Sequence, residues 1–146
     1  MAKDSVDNIV LDTSAVIAFF CNEDGADLVE SHLNKAKKGN VSLYISFATI
    51  AELFSSAVKK EGKEKAEYYM AIIRSLPVKV VHSDDDLCLS AGALKAKYKM
   101  SFADAFIAST ALHLDGILVH KDPEFEVLKQ ILRMETLPYK PYKHGK

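Results

Sequence analysis

Cysteine is scarce in this 146-residue chain: there are two, Cys21 and Cys88, far apart and in neither a CxxC pair nor any metal-ligand spacing. That excludes a disulfide scaffold and a thiolate zinc site, and both side chains are expected to be buried small apolar groups in a reduced chain. Charge of one sign is also missing. A net charge of −1 gives the molecule no long-range field that would gather polyanions, so any site for them must be local. No apolar run approaches membrane-spanning length, and the opening Met1 to Asp7 is short and polar, unlike a secretory signal. The expected location is the cytoplasm, with no membrane partner. Internal repeats, low-complexity tracts and interdomain linkers are absent as well.

What the chain does have is 49% apolar residues, enough for one sizeable core, arranged in alternating β- and α-type patterns. Asn8 to Leu11, Val41 to Ile45, Val78 to Val81 and Ile117 to Val119 read as strands, with Met134 to Leu137 a possible fifth. Between them, helical spacing covers Ala15 to Cys21, Gly25 to Lys38, Phe47 to Lys60, Lys63 to Leu76, the stretch after a Ser83 cap through Lys99, and Phe102 to Leu114. A short helix is expected over Pro123 to Leu132. Strands alternating with helices predict an α/β three-layer sandwich built on a parallel sheet. The domain should span residues 1–137, leaving 138–146, rich in Pro, Lys and Tyr, as a loosely held tail.

In open parallel sheets, ligands bind beyond the carboxyl ends of the strands. Two acids fall there: Asp12 directly after the first strand and Asp122 three residues past the fourth. Either could instead be a helix cap, a role Asp fills well. Asp104 is the only ionisable residue between Ser101 and Leu112, in the most apolar helix of the chain. A carboxylate in such surroundings costs several kcal/mol unless it is paired, hydrogen-bonded or bound to a metal. The helix dipole and free N–H groups of the first turn supply part of that compensation. Glu52 is weaker on these grounds, since its helical wheel puts it on the flank with Ala48, Ser55 and Lys59, away from the apolar face. If the acids converge, hard oxygen donors favour Mg²⁺ or Mn²⁺ over zinc. His32, His82, His113, His120 and His144 are scattered singly and read as surface or packing side chains, His120 alone being close to a candidate acid.

Four segments in this order resemble the PIN-domain nucleases: Val10-Leu11-Asp12-Thr13-Ser14-Ala15-Val16, Ala51-Glu52-Leu53, Ser101-Phe102-Ala103-Asp104-Ala105-Phe106-Ile107-Ala108-Ser109-Thr110-Ala111, and Leu118-Val119-His120-Lys121-Asp122-Pro123-Glu124-Phe125. The order, the spacing and the element around each piece carry the resemblance over nearly the whole chain, and within the family it is most similar to VapC-type toxins. The resemblance implies a parallel sheet of about five strands flanked by helices, frequent homodimers, a cognate antitoxin and metal-dependent endonucleolytic cleavage of RNA. Position by position it makes Asp12, Glu52 and Asp104 the principal metal-binding and catalytic acids and Asp122 the fourth. Thr13 or Ser14 matches a supporting hydroxyl. His120 stands where the family often has Thr or Ser, and Glu124 could share or replace the role of Asp122.

Lysines would steer single-stranded or looped RNA locally: Lys35, Lys37 and Lys38, the cluster from Lys59 to Lys65, and Lys95, Lys97 and Lys99. Two other readings share the fold, a PIN nuclease of RNA processing with no toxin role and a non-catalytic PIN-like RNA-binding module. The intact set of acids argues against the second. A phosphotransferase built on Asp12 is disfavoured because the second Asp of that pattern is Ser14 here.

Overall fold

A computed structural model describes residues 6–141. Five strands, β1 (Asp7–Leu11), β2 (Val41–Ser46), β3 (Val78–Val81), β4 (Ile117–His120) and β5 (Met134–Thr136), form one sheet in the order β3-β2-β1-β4-β5. Every pairing is parallel. Parallel strands need crossovers, and helices supply them: α1 (Thr13–Phe20), α2 (Ala26–Lys37), α3 (Phe47–Glu61), α4 (Lys63–Ser75), α5 (Asp85–Lys97) and α6 (Phe102–His113). The expected three-layer sandwich is the observed fold.

Two apolar layers cover the sheet, as an all-parallel sheet requires. Val10, Leu118 and the apolar faces of α5 and α6 enclose one core, completed by Phe125 and Leu128. Ile9, Leu11, Leu43, Ile45 and Val119 face the other, with Val16, Val29, Leu33 and Met70 from α1, α2 and α4. Alternate residues of β1 thus enter opposite cores. The close approach of β1 to the start of β4 needs Gly116, where a Cβ would stand 2.8 Å from the Asn8 carbonyl oxygen.

Four local expectations change. Cys21 and Cys88 are free but exposed, Cys21 because it ends α1 and Cys88 because it lies on the solvent side of α5. The cap of α5 is Asp84, whose carboxylate accepts the Leu87 N–H at 2.8 Å, rather than Ser83. That helix stops at Lys97, since Tyr98 is extended and Lys95 Nζ donates to the Met100 carbonyl at 3.0 Å across the turn. The short helix expected over Pro123 to Leu132 is a 3₁₀ helix that ends at Leu128. Leu137, the last residue of the expected domain, is fully buried, and in the tail Tyr139 Oη donates to Glu126 at 2.6 Å and Lys140 pairs with Glu23 at 3.2 Å. Residues 142–146 lie outside the described residues.

Candidate active site

The strand order reverses at β1, whose neighbours β2 and β4 lead to opposite edges, so the crevice beyond the carboxyl ends of β1 and β4 is the switch point of the sheet. Asp12 and Asp122 follow those two strands. Register holds them in place: Leu11 pairs with Val119, and the Asp12 N–H donates to the Val119 carbonyl at 3.0 Å. Helix α6 begins at the same end, because its far end feeds β4, and this brings Asp104 to the crevice. Asp12, Thr13, Ser14, Ile17, Glu52, Ser56, Asp104 and Asp122 line an open cleft of about 290 Å³.

Asp12 is fixed most firmly. It is 3% exposed, and its Oδ1 accepts the Ala15 N–H at 2.7 Å, so it caps α1 while facing the cleft. Cap and site acid are here one residue. The Ser14 hydroxyl sits 2.8 Å from both Asp12 carboxylate oxygens and accepts the Lys121 backbone N–H at 2.9 Å. It therefore ties the loop after β4 to the first acid. Burial, reinforced by the charges of Asp104 and Asp122, pushes the Asp12 pKa up to about 7 even though both of its hydrogen bonds pull it down.

Glu52 is half-buried rather than solvated, and no ion pair joins it to Lys59 among the described residues. The wheel misled because it considers α3 alone. Thr13, at the start of α1, donates its hydroxyl to Glu52 and lies 3.1 Å from the buried Thr49 Oγ1. Each of the two hydroxyls expected after the first acid thus serves a different carboxylate: Ser14 orients Asp12 and Thr13 orients Glu52.

Asp104 is half-buried in the first turn of α6, where the Ser101 hydroxyl accepts its backbone N–H at 3.1 Å. Its carboxyl rises to about pKa 6, through burial first and then the charges of Asp122 and Glu52. Asp104, Asp122 and Glu124 offer oxygens all within 4.8 Å of one another. The tightest trio therefore differs from the expected Asp12, Glu52 and Asp104, which line the same cleft at greater separation. Both candidates for the fourth acid stand beside Asp104. Asp122 also caps the 3₁₀ turn, its Oδ1 accepting the Glu124 N–H at 2.9 Å. The donor set is all carboxylate oxygen, with Asp12 and Asp104 raised by burial first and by their acidic neighbours second, and it fits a hard divalent cation such as Mg²⁺ or Mn²⁺.

His120 is a packing residue with a definite task. It is fully buried, its Nδ1 accepts the Asp122 N–H at 3.1 Å and its Nε2 lies 3.2 Å from Thr136 Oγ1. An Nδ1 that accepts leaves the proton on Nε2, and burial holds the ring pKa down. The imidazole thus receives the N–H that a hydroxyl at this position would be placed to receive. Sequence reasoning missed Lys121, whose ammonium turns inward to the Asp24 carbonyl at 2.8 Å and Glu23 at 3.4 Å. Nothing local marks a lysine beside an acid as buried. Of the lysine groups, Lys35, Lys37 and Lys38 lie where α2 leads into the start of β2, at the opposite end of the sheet from the acids. Lys59 flanks Glu52, and Lys97 and Lys99 precede α6.

The molecule is thus a parallel α/β sandwich with acids gathered at its switch point, and the comparisons say which family has this arrangement. The PIN domain model matches residues 9–130, and the chain belongs to the PIN-domain family. No curated protein sequence matches it. Among solved structures, it is similar to a chain of VapBC2 from Rickettsia felis bound to a promoter DNA fragment, with 22% identity, TM-score 0.72, and coverage of 90% of this chain and 99% of that one. DNA-bound VapBC from Salmonella typhimurium is 19% identical at TM-score 0.71, over 90% and 98% of the two chains. Mycobacterium tuberculosis VapC20, described as a toxin that cleaves the sarcin-ricin loop, is 20% identical at TM-score 0.64, over 82% and 93%.

Proposed function

We propose that this PIN-domain chain is a Mg²⁺- or Mn²⁺-dependent endoribonuclease and the toxin of a toxin–antitoxin pair. The observation that carries the reading is the gathering of Asp104, Asp122 and Glu124 oxygens within 4.8 Å, in the cleft that Asp12 and Glu52 also line. Left to themselves, such acids repel one another and would repel an RNA phosphate. Asp104, Asp122 and Glu124 would hold a divalent ion there, which would offset this negative charge and supply the means to acidify a water.

The chain's own residues do the holding and aiming. Asp104, Asp122 and Glu124 are the ligand candidates with the closest oxygens, and Asp12 and Glu52 complete the acidic wall. Ser14 and Thr13 keep Asp12 and Glu52 in fixed rotamers, so the site is organised before RNA arrives. Water attacking the phosphorus in line, with departure of the 3′ oxygen, leaves a 5′-phosphate and a 3′-hydroxyl. The open cleft suits an unpaired strand, in which bases and phosphates are accessible.

The VapBC complexes among the structural relatives support a cognate antitoxin as partner. An apolar groove lined by Ile17, Phe20, Leu53, Ala57, Tyr69 and Met70 meets the acid cleft at Ile17 and Ser56, and would take a partly helical apolar arm. A homodimer in the cytoplasm is part of the same reading.

Cleavage of single-stranded RNA by the purified chain tests the proposal. Activity should vanish in EDTA, return with Mg²⁺ or Mn²⁺, and be absent from Asp104→Asn. Undiminished cleavage in chelator contradicts it. Expression of the wild-type chain alone should arrest bacterial growth, with Asp12→Ala tolerated. Harmless expression of an active nuclease would favour a role in RNA processing.

A further inference from the structure

At the start of α6, in the turn that carries Asp104, stands an aromatic ring that the fold supports but does not cover. Phe102, the first residue of α6 and two positions before Asp104, is 65% exposed. Its ring lies 5.0 Å from Phe106, one turn further on, and Phe106 in turn meets Phe47 edge-on at 5.1 Å. Phe106 is buried and Phe47 begins α3 at the carboxyl end of β2, so this chain of rings runs from the core to the surface. It holds the outermost ring in place from below and leaves its outer side to solvent.

Phe102 and Asp104 share the first turn of α6, about 200° apart around its axis. The carboxylate faces Asp122 and Glu124, while the ring faces the side of β2. A strand whose phosphate lies at the acids and which crosses the tip of α6 would bring a neighbouring base onto that ring. The approach is basic, for Lys97 and Lys99 are exposed just before the helix and Lys97 Nζ is held 5.5 Å above the Tyr98 ring. Lys95, bonded to the Met100 carbonyl, fixes the turn that carries them. Cationic side chains on the segment that leads into a supported aromatic face are a combination suited to binding single-stranded nucleic acid by stacking, tolerant of sequence because every base has a π-face.

We infer that Phe102 is a stacking platform for an unpaired RNA base next to the scissile phosphate, with Lys97 and Lys99 contacting the flanking backbone. The inference rests on the ribonuclease reading of the cleft for the direction of the strand. Pre-ordering by Phe106 and Phe47 means that little side-chain entropy is lost on binding.

The test is a titration of a single-stranded RNA oligonucleotide carrying 2-aminopurine with the full-length protein in Ca²⁺, a hard cation that would screen the carboxylates from the phosphate, followed by base fluorescence and anisotropy. The wild type should bind and quench the base. Phe102→Ala and Phe102→Leu should weaken binding about 5- to 100-fold and lose the quench, whereas Phe102→Tyr should keep both. In Mn²⁺ the loss in cleavage should fall in KM rather than kcat. If Phe102→Leu binds and quenches like the wild type, the platform is overturned while cleavage, lost only in Asp104→Asn, still supports the ribonuclease reading. If the wild type quenches through Phe102 but never cuts, the platform stands and the ribonuclease reading falls. A change of oligomeric state in Phe102→Ala with RNA binding intact would assign the ring to a protein interface and overturn the inference.

Discussion

The two walls of the acidic cleft are built differently. On the β1 side, Asp12 is buried, caps α1, and is bonded through Ser14 to the backbone of Lys121. Glu52 beside it is held by Thr13. On the β4 side, Asp122 is half-buried and Glu124 exposed, on a short 3₁₀ turn whose anchors are the buried ring of His120 and a cap within the turn. One wall is fixed by secondary structure and hydroxyl bonds, and the other offers two carboxylates on a short turn, both close to Asp104. The difference teaches that a firmly held acid and a more exposed pair line the same end of the sheet, and on the proposed reading the pair shares one role.

The largest effects should come from the acids with no neighbour to replace them. Asp104→Asn and Asp12→Ala should each lower kcat for RNA by about a thousandfold or more, with circular dichroism showing an intact fold. On the β4 side, Asp122→Asn and Glu124→Gln should each cost roughly tenfold or less while the double variant loses about as much as Asp104→Asn, the signature of two groups sharing one role. Equal, additive losses would remove the distinction between the walls. Ser14→Ala should come next, with about a 10- to 100-fold loss in kcat and little change in RNA affinity, because it frees Asp12 without touching substrate.

The same contrast has a pH signature. In the metal-free protein the folded-state pKa of Asp12 lies near 7, well above its unfolded value, so ionising it opposes folding. The penalty is absent below about pH 4, grows as pH rises, and is complete above about pH 7. It amounts to on the order of 4 kcal/mol for this buried group. Denaturant titrations in EDTA should therefore show stability falling across that window. Asp12→Asn, which keeps a cap oxygen, should flatten the fall and be the more stable protein at pH 8, and saturating Mg²⁺ should do the same for the wild type. A variant less stable than the wild type at pH 8 would mean that Asp12 serves chiefly as a cap.

Much of this was legible in the sequence where local pattern and global fold agree. The four expected strands, the α6 helix and the placement of Asp12 after β1 follow from apolar periodicity and the parallel-sheet rule. What could not be read depends on neighbours far along the chain. Glu52 looks solvated on its own helix and becomes part of the cleft only because Thr13, 39 positions earlier, reaches it. Lys121 and Cys21 mislead in opposite ways, a charged side chain that is buried and a small apolar one that is exposed, because each sits at an element end where periodicity carries no information. Phe102, in a helix apolar nearly all round, gave no sign that its ring would face outward.

The central claim is that these carboxylates form one cation site, and diffraction from crystals soaked in Mn²⁺, read by anomalous scattering, tests it most directly. The account predicts a Mn²⁺ peak bonded to Asp104 and to at least one of Asp122 and Glu124, on the side of the cleft facing Asp12. A cleft that stays empty at Mn²⁺ concentrations supporting cleavage, or a peak bonded elsewhere, would contradict it.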